Sequence, residues 1–179
     1  MTQTPASLMV AVSAAGVCLK LAGRANMATS LDFKAVVYPL REQGHTRFVL
    51  DLTNCVAMDS TFLGVLAAFV HRLAEPAERP GRFELVNANP RITDFLDNLG
   101  VLPLFNLVQS PGGVAGRFQP VPAGQADKAE LARTSLEAHR ALMDLDAANV
   151  PKFKDVARFL EEDLKRLQQT PQPASRTGI

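Results

Sequence analysis

Apolar and polar positions along this chain change period several times, and each change marks an element. Leu8–Ser13 is apolar and partly β-branched, Ala14-Ala15-Gly16 supplies a turn, and Val17–Ala22 alternates Val, Leu, Leu against Cys, Lys, Ala. That pattern predicts a β-hairpin ended by Gly23. Asn26 then caps a helix to about Gln43, with Gly44 as its stop and Pro39 expected to kink or shorten its last turns. RFVLDL, Arg47–Leu52, is a short apolar run that predicts a central strand, followed by a loop over Thr53–Met58.

From about Ser60 to Leu73 the period becomes helical. Phe62, Leu63, Leu66, Phe69, Val70 and Leu73 share one face at three- and four-residue steps. The loop EPAERPG leads to a strand at Phe83–Ala88. Asn89 caps the next helix, Pro90 occupies its first position, and Gly100 closes it. Val101–Val108 reads as a last strand interrupted by Pro103. Residues 1–108 thus read β-β-α-β-α-β-α-β, an α/β fold with a mixed β-sheet and helices packed on it.

Beyond this the periodicity lapses. Residues 109–127 are rich in Pro and Gly and read as a linker. Residues 128–169 predict a two-helix hairpin, Lys128–Leu145 and Val150–Leu167, joined by the short Asp146–Asn149 connection. Phe153, Val156, Leu160, Leu164 and Leu167 form the stripe of its second helix, which must bury against the first domain, a second copy or a partner. A homodimer through these helices is the expectation. Residues 170–179 are polar with two prolines and read as a disordered tail.

Composition removes several functions. The chain has 179 residues, 47% hydrophobic, with a net charge of +1, so no electrostatic argument points to nucleic acid or an anionic membrane. The absence of Trp and the single Tyr38 leave few stacking platforms for single strands. No apolar run approaches the ~18 residues of a membrane span. SLMVAVSAAGVCL lacks the preceding basic residue of a secretion signal. Cys18 and Cys55 have neither CxxC spacing nor a His cluster, and read as buried free thiols of a cytoplasmic protein. No metal or cofactor motif is present; Gly112-Gly113 lacks the strand and helix of a phosphate loop.

The candidate chemistry lies in CVAMDSTFLG, Cys55–Gly64, where Asp59, Ser60 and Thr61 interrupt two apolar runs. Asp59 or Ser60 can cap the helix, contributing roughly 1 kcal/mol. The outward side of that helix, Thr61, Gly64, Ala68 and His71, is small or neutral where a solvated face would carry Lys and Glu. A smooth patch beside a serine suggests a docking surface. A nucleophilic Ser60 finds no base nearby: His71 is about 16 Å along the same helix at about 1.5 Å per residue, His45 lies roughly 20 Å away across the strand, and His139 belongs to the appendage. No catalytic residue is assigned. Asp51, inside an apolar strand, reads as a structural acid that accepts hydrogen bonds from neighbouring loop N–H groups.

FVLDLTNCVAMDSTFLGVL resembles the signature of STAS domains, the anti-sigma factor antagonist family: an apolar strand ending in an acid, a short loop, then apolar-Asp-Ser-Ser/Thr-Gly-Leu and an apolar helix. The resemblance covers about Leu8 to Val108. It implies the STAS fold and a non-enzymatic signalling role without a cofactor. It further implies an anti-sigma factor with serine kinase activity as partner, and Ser60 as phosphoacceptor with Thr61 as second choice. Asp59 matches the acid before the serine and Asp51 the strand-end acid. The partner surface would comprise Asn26, Asp59, Ser60, Thr61, Gly64 and Ala68. The family's glycine after the hydroxyl pair is Phe62 here, on the inward side of the helix. The alternative within the family is an unphosphorylated scaffold subunit of a stress-sensing complex or of a lipid or sulfate transporter.

Overall fold

A computed structural model describes residues 5–75 and 81–169. The tail expected to be disordered, and most of the loop after Leu73, lie outside the described residues. The elements are β1 (Ser7–Ser13), β2 (Gly16–Ala25), α1 (Met27–Glu42), β3 (Arg47–Met58), α2 (Ser60–Leu73), β4 (Arg82–Val86), α3 (Pro90–Asn98), β5 (Asn106–Val108), β6 (Gln119–Pro120), α4 (Lys128–Leu145) and α5 (Val150–Gln169). They build a six-stranded sheet of order β5-β4-β3-β2-β1-β6. β2, β3, β4 and β5 run parallel, and β1 and β6 close one edge antiparallel.

Alternation in β2 decides which face becomes core: Val17, Leu19 and Leu21 are buried while Cys18 and Lys20 are only half-buried. On the buried face an aromatic cluster forms, in which Phe69 meets Phe33, Tyr38, Phe48 and Phe83 edge-on at ring-centre distances of 5.1–6.1 Å. Such tilted pairs contribute about 0.5–1.5 kcal/mol each beyond area burial. Phe62 points inward, fully buried, its ring 5.6 Å from Phe33.

Three strand boundaries differ from the sequence reading. β2 does not end at Gly23, and β3 does not end at Leu52. Both continue to Ala25 and Met58 through two register shifts, one of them just after Gly23. The glycine adopts φ +77°, open to a residue without Cβ, so the ladder bulges and resumes. α1 ends at Glu42, about where the sequence reading puts it, and Pro39 does not shorten it because the proline lies in the last turns, where little helix remains to break. Val101–Val108 is not one strand. Leu102–Leu104 forms a 3-10 turn around Pro103, and only Asn106–Val108 pairs with β4.

The Pro/Gly stretch is tied down as well. Gln119 and Pro120 pair with Val10 and Met9, the Lys20 ammonium lies 4.5 Å from the Phe118 ring centre, and the Gly124 N–H donates to Asp32 Oδ1 at 2.8 Å. The sequence shows no period here because two paired residues are too few to alternate. Cys55 is buried, and burial pushes its thiol up to about 11; Cys18 is half-buried rather than buried.

Reinstating the family glycine at Phe62 tests this core. Phe62→Gly removes a buried ring and adds a helix-interior glycine, so urea unfolding is expected to show a loss of at least about 4 kcal/mol. A loss below about 1 kcal/mol would mean the ring carries little of the packing.

Candidate functional site

The carboxyl ends of β2 and β3 lie side by side, and each runs straight into a helix. The Asp59 N–H donates to Ala25 O at 3.0 Å and locks the two ends together. Asn26 caps α1, its Oδ1 accepting from the Thr29 N–H at 3.1 Å. Asp59 caps α2, its Oδ1 accepting from the Phe62 N–H at 2.8 Å. Two helix N-termini therefore open at one end of the sheet, where ligands of α/β proteins tend to bind. Because Asp59 performs the capping, the Ser60 and Thr61 hydroxyls are free for other partners.

Those partners come from α4. Ser60 Oγ lies 2.9 Å from His139 Nε2, and Thr61 Oγ1 lies 3.0 Å from Ser135 Oγ. His139 Nδ1 lies 2.7 Å from the Ser135 carbonyl oxygen. A carbonyl only accepts, so Nδ1 carries the proton, Nε2 is the acceptor, and the Ser60 O–H donates to it. Burial lowers the imidazole pKa; the Ser135 carbonyl and the Asp59 carboxylate pull the other way but do not prevail. His139 is therefore neutral, 5% exposed, and tilted against the Phe153 ring of α5 with ring centres 4.9 Å apart.

Gly64 sets how near the two helices come. A Cβ there would stand 2.4 Å from the Ala138 carbonyl oxygen and 2.8 Å from its Cβ. Only hydrogen fits, and this approach brings the hydroxyls within reach of α4. α4 is anchored at its far end by Asn149, whose Nδ2 donates to Leu99 O at 2.8 Å and Leu142 O at 2.9 Å.

The expected docking residues thus divide. Asn26 is exposed, Asp59, Ser60 and Ala68 are half-buried, and Thr61 and Gly64 are buried beneath α4. Ala68 borders a cleft of about 400 Å³ between α1, α2 and α4, which Tyr38, Arg72 and Ala141 also line. Asp51 stands apart, on the sheet face away from α2. Its Oδ1 accepts from the Thr53 N–H and hydroxyl, and its Oδ2 from the Val114 N–H at 2.7 Å. Burial alone would raise its carboxyl, but these hydrogen bonds hold it below its usual value.

One expectation is corrected, and α4 takes its place in the core of its own chain through Ala138 and Leu142. His139, set aside as a base for Ser60, is in hydrogen-bond contact with it. The pairing has the form of a nucleophile and base. However, the imidazole is enclosed between α2 and Phe153, and neither flanking cleft is lined by Ser60 or His139. Its role in this arrangement is to hold α4. His139 and Ser135 are the site residues that the sequence does not reveal.

Two measurements probe this contact. Gly64→Ala improves helix propensity but drives a methyl into Ala138, so thermal unfolding is expected to show a net loss of about 1–3 kcal/mol; a gain would mean that the helices part easily. The lowered pKa of His139 makes its contribution complete above the ordinary imidazole value of 6.5 and lost as pH falls through the depressed one. The protection factors of α4 amides, which divide out the base-catalysed intrinsic exchange rate, are expected to fall on acidification from pH 7.5 to 5, and His139→Gln to flatten that dependence. An equally steep response in the variant would assign it to another group.

The family model described as "Mlab, STAS domain" matches residues 8–105. No curated protein matches the chain. Among solved structures, the unphosphorylated form of the anti-sigma factor antagonist SpoIIAA is similar at a TM-score of 0.50 and 19% identity, over 59% of this chain and 90% of that one. An anti-sigma factor antagonist from Mycobacterium paratuberculosis gives 0.50 and 19%, over 58% and 86%. At these identities the likeness is one of fold. The matched segment ends before α4 and α5, so the helix that covers Ser60 stands outside it. With the family match spanning more than half its length, this chain belongs to the STAS domain family.

Proposed function

We propose that this chain is an anti-sigma factor antagonist-like signalling module. It binds an anti-sigma factor with serine kinase activity through the N-terminal half of α2, and phosphorylation at Ser60 switches it off. The supporting observation is the division of labour at the start of α2: Asp59 caps the helix, so the Ser60 hydroxyl sits in the first turn unused by the backbone and is engaged only through its side-chain contact with His139 of α4. Asn26, Asp59 and Ala68 form the surrounding surface, and Thr61 and Gly64 join it where α4 is moved aside. The ATP belongs to the kinase, and this chain is its substrate, works in the cytoplasm, and needs no cofactor. No helix among the described residues is long and apolar enough to cross a membrane.

A phosphoryl group would add about −1.5 to −2 charge. The helix N-terminus accommodates an anion, so the fold survives. Docking does not, because the new charge stands beside Asp59 and would have to be desolvated.

The cover over Ser60 favours a second reading, an unphosphorylated scaffold subunit of a stress-sensing complex or transporter. In it the hydroxyls serve to hold α4. Peptide mapping of the chain isolated from its native cells separates the two. Phosphate on Ser60 is expected. Phosphate found only elsewhere, with partners still co-purifying, would leave the scaffold. Ser60→Asp is expected to weaken binding of the co-purified partner at least tenfold, about 1.4 kcal/mol, while the cooperative melt persists. A variant that binds like the wild type contradicts the switch.

A further inference from the structure

α4 presents to α2 a narrow ridge: Ser135 against Thr61, Ala138 against Gly64, His139 against Ser60, with Leu142 following. The spacing of three, four and seven is one helical face. Its chemistry is specific. Two small residues permit close approach of the backbones, and an unprotonated nitrogen receives the Ser60 proton. α2 therefore carries a complete helix-accepting surface on the side away from the sheet.

The contact differs in kind from the rest of the core. The large rings Phe33, Phe48, Phe62, Phe69 and Phe83 lie on the sheet side of α2, and α4 adds no aromatic residue to them. α4 adds only the smaller apolar side chains Ala138 and Leu142 to that core, and it is tied along its length as well. Asn149 fixes its C-terminal end. The Gly124 bond to Asp32 and the Lys34–Glu137 ion pair, 3.2 Å, hold the approach and the middle. A segment held so near its site competes as an intramolecular ligand, at an effective concentration that reaches millimolar for a short tether.

We infer that the α2 face is a receptor for one α-helix, that α4 occupies it in cis, and that the partner docks by displacing α4 with a helix of the same design. That helix carries small side chains at positions i and i+3 and a neutral acceptor, imidazole or carboxamide, at i+4. The inference rests on the docking role proposed above for α2, and adds the shape of the ligand and the competitor that holds its place. A phosphoryl group on Ser60 replaces the donated proton with oxygens that only accept. It would thus refuse the partner helix and α4 alike.

The test uses the full chain and, as probe, a fluorescent synthetic peptide of residues 128–145. Ala138→Glu forces a carboxylate against Gly64 and opens α4 without altering α2. The peptide is expected to bind this chain at least tenfold more tightly than the wild type, whose site is filled. Thr61→Cys with Ser135→Cys places thiols where the hydroxyls are 3.0 Å apart. The oxidised chain is expected to refuse the peptide, and the same chain after reduction to bind it more tightly than when oxidised. If Ala138→Glu lacks a cooperative melt, Leu142→Ala, which removes the most deeply buried side chain of α4, replaces it. Equal binding to opened, wild-type and locked chains, or no binding to a folded opened chain, overturns the inference. Phosphorylation plays no part in the assay, so absence of phosphate from Ser60 in native cells would remove the proposed switch and leave this result standing.

Discussion

Helix α2 is buried on two opposite sides, and this constraint shapes the molecule around it. Toward the sheet it presents Phe62, Leu66 and Phe69; toward α4 it presents Thr61 and Gly64. A helix so enclosed has no place for charge in its middle, and its basic residues, His71 and Arg72, come only in the last turn. The two sides are packed by different means. Against the sheet, large rings fill volume. Against α4, the absence of a side chain at Gly64 lets two backbones close, and polar groups at the helix start are satisfied across the gap.

That satisfaction depends on which residue caps the helix. Had Ser60 capped α2, its oxygen would face the backbone. Asp59 holds that position and also ties β3 to β2 through its own N–H, so strand pairing, capping and presentation of the hydroxyls are coupled at one residue. His139 completes the arrangement only as a neutral ring, because its Nδ1 proton is directed to the Ser135 carbonyl and Nε2 is left to accept. Burial, which disfavours imidazolium, prevails over the Ser135 carbonyl and the Asp59 carboxylate, which favour it, and so leaves the neutral ring in place.

The opposite face of the sheet places the appendage. Asp51 receives the Val114 N–H and Lys20 meets Phe118, so the chain leaving β5 is drawn across that face to pair with β1 as β6. From there it returns past Asp32 to the side where α1 and α2 lie. The strand-end acid, distant from Ser60 on the other side of the sheet, thus helps set the route by which α4 arrives above it.

The sequence by itself determines the order of elements from Ser7 to Val108, because strand and helix periods, asparagine and aspartate caps, and glycine stops are local signals that need no neighbour. It also determines the MDST motif, and through it the family and the first turn of α2. The inward direction of Phe62 follows from helical spacing alone. What only the tertiary structure decides is the state of that motif. Ser60 and His139 are 79 residues apart, and Thr61 and Ser135 are 74. The small-residue side of α2 announces that something comes close, and the ridge of α4 announces the same, but neither names the other. The bulge after Gly23 and the short pairing of Gln119–Pro120 were equally hidden, since each is settled by hydrogen bonds to a distant strand. Matching two faces requires the path of the intervening chain, and that path is set by tertiary contacts to Asp51, Lys20, Val10 and Asp32 that no local pattern contains.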